Sequence, residues 1–168
     1  LYTVNTAHCA TAYLGAQRGY KFIHQAVTDP AIRPIIEQIV AESSAALCAK
    51  FGFDTHSQQL YAQSVLRRFE NPYLGDTVAR VAREPKRKLS PALYFAYPVA
   101  LALKYSLSTE ALATAVAAAM RYRCDDDTES QQLSAMIARY GVAKSAEMVT
   151  RVANKDFLRL VEQKYSNF

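Results

Sequence analysis

Helix punctuation is what most constrains this chain. Asp29 is followed by Pro30, an N-cap with proline in the first helical position, and Phe51 is followed by Gly52, a C-terminal stop. Asp126 with Glu129 spells a capping box, and Gly141 closes the run after it. Between these marks Ile36, Ile39, Val40, Ser43 and Leu47 recur at helical spacing, and no stretch alternates apolar with polar as a half-buried strand would. The expected fold is all-α, one multi-helix domain over residues 1–168 with about seven to nine helices.

HCATAYLGAQRGYKFIHQAV reads as helix that weakens at Gly19. Pro34 lies too deep for one regular helix from Pro30, which predicts a short 3₁₀-like turn before the long helix proper. A further helix is expected over 57–69. Ser90 and Pro91 start one that Pro98 should bend, and Ser108 with Glu110 starts an alanine-rich one. A last helix covers 154–165.

The pattern fails in between. NPYLGDTVARVAREPKRKLSP, residues 71–91, contains three prolines and a glycine without a sustained period, and is expected to be a long irregular loop of the kind that is often functional. The net charge is +5, yet residues 80–88 alone hold Arg80, Arg83, Lys86, Arg87 and Lys88 against Glu84. A surplus packed so locally suits a small anion better than a nucleic-acid duplex, whose partners spread charge along a stripe.

Half of the residues are hydrophobic, but no run approaches the roughly 18 to 20 apolar residues that span a bilayer, so no membrane partner is expected. Cys9, Cys48 and Cys124 are scattered with no metal-ligand spacing. They read as small hydrophobes in a reducing, cytoplasmic setting, and no metal is expected. His24 and His56 have no partners at ligand spacing, and Asp125 to Asp127 read as a solvated helix start.

Asn5 and His8 are three residues apart near the front of the first helix and share a face. There, unpaired N–H groups and the helix dipole favour an oxyanion. The plainer alternative makes Asn5 an N-cap and His8 a half-buried histidine.

A resemblance bears on that choice. The runs YTVNTAHCATAYLGAQRGYKFIHQAVTDPAI and RRFENPYLGDTVARVAREPKRKLSP, with LSAMIARYGV further on, are similar to the C-terminal domain of the polyol-specific long-chain dehydrogenases, the mannitol dehydrogenase family. The likeness covers nearly the whole chain and is greatest to the phosphate-specific branch. It implies an N-terminal Rossmann domain that binds NAD, followed by an all-α substrate domain resembling the C-terminal domain of 6-phosphogluconate dehydrogenase. The family motif Lys-x-x-x-x-Asn-x-x-His falls on Asn5 and His8, with its lysine, the general base, on the position before Leu1. The chain opens without an initiator methionine and is expected to be a piece of a longer protein, inactive alone.

The same resemblance assigns the second half of the site. Arg80 and Lys88 are eight apart, as are substrate-contacting Arg and Lys residues in the mannitol 2-dehydrogenase branch, and RKLSP at 87–91 matches the phosphate-specific branch. Arg83 and Arg87 join them as candidate phosphate contacts, because guanidinium groups meet phosphate in a bidentate way. The implied reaction interconverts mannitol 1-phosphate and fructose 6-phosphate by hydride transfer. Two departures concern the substrate more than the fold: Ala92, Leu93, Tyr94 and Phe95 stand where the family commonly has Asn-Asp-Arg-Leu, and Ala7 replaces a glycine. An alternative from another class is a helical binding module whose basic loop holds nucleic acid or an acidic partner.

Overall fold

The computed structural model describes residues 2–91 and 93–168. The first helix, α1 (Val4–Gln17), is rich in alanine and is buried on nearly every side through Ala7, Ala10, Thr11, Ala12, Tyr13 and Leu14. A helix buried over most of its circumference belongs at the centre of a bundle. It stops at Arg18, and Gly19 takes a φ of +75° in the break, so the long first helix expected from sequence is two. The second, α2 (Ile23–Thr28), packs back on the first at Gly15, where an added Cβ would come within 2.8 Å of Ala26 Cβ.

Asp29 does not cap the next helix. Its carboxylate accepts from Ala31 N–H at 2.6 Å, Tyr20 Oη–H at 2.7 Å and Arg18 Nε–H at 2.8 Å, which ties down a turn over residues 29–32. Only then does α3 (Arg33–Phe51) begin, with Pro34 harmless in its first turn and Gly52 left-handed at its end. Next, α4 (Thr55–Phe69) is capped by Asp54, which accepts from Ser57 N–H.

The segment 71–91 corrects the expectation of an irregular loop. It holds a 3₁₀ turn (Pro72–Leu74), α5 (Val78–Ala82) capped by Thr77, and α6 (Pro85–Leu89). Helices of five residues are too short to display a 3.6-residue period, and Pro85 sits at a helix start, where proline is well tolerated. Before it Glu84 adopts a left-handed φ of 59°, held there as its N–H donates to Asp127 Oδ2 at 2.7 Å.

The remaining helices are α7 (Ala96–Lys104), α8 (Glu110–Arg121), α9 (Thr128–Tyr140), α10 (Val142–Thr150) and α11 (Lys155–Ser166), which brings the count among the described residues to eleven α-helices, more than the seven to nine expected. Helix α7 starts at Ala96 and not at Ser90, so Pro98 falls in its first turn and bends nothing. Asp127, one residue after the expected Asp126, caps α9 by accepting from Glu129 and Ser130 N–H. Alanine lines α8, a second largely buried helix, which lies against α1, α3 and α11. No strand forms among the described residues; Phe22 and Thr77 make an isolated antiparallel bridge. Among the described residues no helix is long and apolar enough to cross a membrane.

Candidate active site

Thr3 precedes α1 without capping it through its side chain, and Asn5 lies inside the first turn. The N-cap role that sequence allowed Asn5 is therefore excluded. Its half-buried amide makes no hydrogen bond with the described residues. One turn on, His8 is half-buried and its ring stacks on Phe69 of α4, centroids 4.9 Å apart at 19°. His8 Nε2, shut off from solvent, lies 3.1 Å from Asp76 Oδ2 but outside the angular range of a good hydrogen bond.

The 71–91 segment lies along α1, with Asp76 beside His8 and Val78 beside Gly15. Ile23 N–H donates to Asp76 O at 2.9 Å and Val78 N–H to Lys21 O at 2.9 Å, which pins the approach to α5 against the α1–α2 connection. Asp76 Oδ1 accepts from the exposed Arg80 guanidinium. Beneath, Lys88 is only 6% exposed, and its ammonium donates to the carbonyls of Val81 and Arg83 at the end of α5. Two of its three donors are thus committed to the protein.

Electrostatics follow from burial. Desolvation holds His8 below its usual pKa; Asp76 pulls it up, while Arg80 and Lys88 push it down. The imidazole is neutral at physiological pH and its Nδ1 makes no hydrogen bond with the described residues. Burial likewise lowers Lys88, helped by Arg87. The Cys9 thiol, buried nearby, is pushed up to about 11 and is inert as a nucleophile.

The fold thus brings Arg80 and Lys88 near His8, one helical turn from Asn5. Arg83 is exposed without an ion pair among the described residues. Arg87 pairs with Glu84 at 2.6 Å and borders a cavity of about 590 Å³ together with Lys86, Ser90, Met148 and Arg151. A roomier hollow of about 790 Å³ lies between α3 and α4, but none of the candidate site residues borders it and it holds no catalytic set. In the sequence Phe69 reads only as a buried residue of its helix and Asp76 escaped notice, although Asp76 stands four residues before Arg80, the spacing of a helical ion pair. Among the described residues no group of three or more His, Cys, Asp or Glu could hold a metal ion.

This arrangement of helices is shared by solved enzymes. A Pseudomonas fluorescens mannitol 2-dehydrogenase, in a ternary complex with NAD and D-mannitol, is similar with a TM-score of 0.75 at 19% identity, over 98% of this chain and 36% of that one. A D-sorbitol dehydrogenase in substrate-free form is similar with a TM-score of 0.77 at 14% identity, over 98% of this chain and 37% of that one. The chain spans a little over a third of those structures. At such identities the likeness speaks for the fold. Residues 1–167 match the family model of the mannitol dehydrogenase C-terminal domain, and it is to this family that the chain belongs.

Proposed function

We propose that the chain is the C-terminal substrate domain of a cytoplasmic, NAD-dependent mannitol-1-phosphate 5-dehydrogenase, which interconverts mannitol 1-phosphate and fructose 6-phosphate. The observation that carries this reading is a neutral His8 stacked on Phe69 with Asp76 Oδ2 3.1 Å from its Nε2, one turn from an unpartnered Asn5 amide and next to a buried lysine. Such a donor set suits an alcohol oxygen. With no dinucleotide fingerprint in residues 1–168, the cofactor belongs to a Rossmann domain of the full protein. NAD, when bound there, takes up the hydride.

The residues of this chain bind and orient the polyol. A lysine on the position before Leu1 takes the hydroxyl proton as the carbon–hydrogen bond breaks. The Asn5 amide N–H donates to the developing alkoxide, and His8 Nδ1 accepts from the same or a neighbouring hydroxyl. Arg80 and Arg83 meet the phosphate with charge-assisted hydrogen bonds, Lys88 holds the segment in place, and Arg87, paired with Glu84 on a separate cavity, is left out of the phosphate contact. A nucleic-acid module fits less well, because residues 1–167 match a dehydrogenase family.

In the full-length enzyme, Asn5→Ala should lower kcat by on the order of 10² or more, with a smaller change in KM. Near-normal kcat would sink the oxyanion role.

A further inference from the structure

We propose that Asp76 is the positioning residue of this site, a single carboxylate that sets the His8 imidazole with one oxygen and the Arg80 guanidinium with the other. Its meaning in turnover rests on the dehydrogenase reading above; the contacts do not. Asp76 is well placed for the task because its own backbone is held: its carbonyl accepts from Ile23 N–H, and the bridge between Phe22 and Thr77 fastens the next residue. The side chain is half-buried, with Oδ2 3.1 Å from His8 Nε2 and Oδ1 on Arg80.

The consequence is a defined tautomer. With Nε2 excluded from solvent and facing a carboxylate, the proton of neutral His8 belongs on Nε2, and Nδ1 remains an acceptor for a substrate hydroxyl. Phe69 stacked on the ring removes its rotational freedom. Three charged groups act on His8, namely Asp76, Arg80 and Lys88, and Asp76 alone opposes the two cations. The same carboxylate holds Arg80 on α5, so the hydroxyl-binding and phosphate-binding halves of the site share one anchor.

The test is an NMR titration of the His8 Cε1–H signal in the protein, in Asp76→Asn and in Asp76→Glu. Removing the carboxylate's charge should lower the His8 pKa by about one unit, and glutamate should return most of it. A His8 titration unmoved by Asp76→Asn, with an unchanged far-UV CD spectrum, would overturn the proposal. Should Asp76→Asn fail to fold, the exposed Arg80→Met leaves Asp76 to His8 alone and must raise the His8 pKa; no rise overturns the proposal equally. In the full-length enzyme, Asp76→Asn should lower kcat about 10-fold to 100-fold and move the acid limb of the pH profile down with the His8 pKa. A wrong substrate assignment would silence turnover but leave the titration standing, whereas a wrong role for Asp76 would leave the titration flat whatever turnover does.

Discussion

At His8 two opposing effects meet, and burial prevails over the neighbouring carboxylate. A histidine whose pKa is lower in the folded chain than its unfolded 6.5 binds fewer protons when folded. Its contribution to stability is therefore complete above the unfolded value and is lost as pH falls through the folded one. Acidifying from about pH 7.5 to about pH 5 should lower Tm, and His8→Gln should flatten part of that fall. An identical pH dependence in wild type and variant would show that the imidazole pays no desolvation cost. Phosphate recognition belongs to the same scale. Arg83 is exposed with no ion pair among the described residues, so Arg83→Ala should weaken fructose 6-phosphate roughly tenfold to a hundredfold while leaving fructose nearly unchanged. Lys88→Ala strips the donors from Val81 and Arg83 carbonyls and should weaken both sugars alike. Paired titrations of the two sugars read the difference, and equal losses in Arg83→Ala would move the phosphate elsewhere.

Among elements, the joint between α3 and α8 is built by one acid. Glu42, buried on α3, accepts from Ser108 Oγ–H at 2.7 Å, Leu112 N–H at 2.9 Å and Ala111 N–H at 3.2 Å, and so supplies from a distant helix the cap that Thr109 does not give α8. Those amides are otherwise orphans at a buried helix start. Glu42→Ala should cost about 2 to 4 kcal/mol, seen as a lower urea midpoint with an unchanged slope. A midpoint unaltered by the substitution would mean that water replaces the carboxylate. A similar division of labour explains α5 and α6, which are too short to stand alone. Lys88 closes the end of α5, and Glu129 and Asp127 on the α9 side accept from Arg87 and Glu84 N–H at 2.8 and 2.7 Å.

For the molecule as a whole, α1 and α8 pack on each other through small buried residues, and His8 with its neighbours lies on the face of α1 that meets α5. On the function proposed above, the cofactor and the general base are supplied from outside residues 1–168. Residues 1–168 incubated with mannitol 1-phosphate and NAD should therefore form no NADH above a blank. Reproducible turnover by the pure chain would remove the two-domain reading.

The all-α class was legible in the sequence because its signals are local. Asp54, Asn154, Gly52 and Gly141 each act within a turn of themselves, and the alanine runs of α1 and α8 declare their burial without reference to a partner. Asn5 and His8 could be paired for the same reason, since a spacing of three puts them on one face. What the tertiary structure alone decided joins residues far apart in the chain. Gly19 could be seen as a weak point, but that the chain after it pairs Phe22 with Thr77 before α2 begins could not. Glu42 looks like any acid on a helix until α8 lies against it, and Asp126 and Asp127 are indistinguishable until Glu84 donates to one of them. Asp76 beside His8, and Lys88 turned inward to carbonyls instead of outward to solvent, are likewise set by packing. Local dihedral preference writes the helices, whereas a charge finds its partner only once the chain has brought it there.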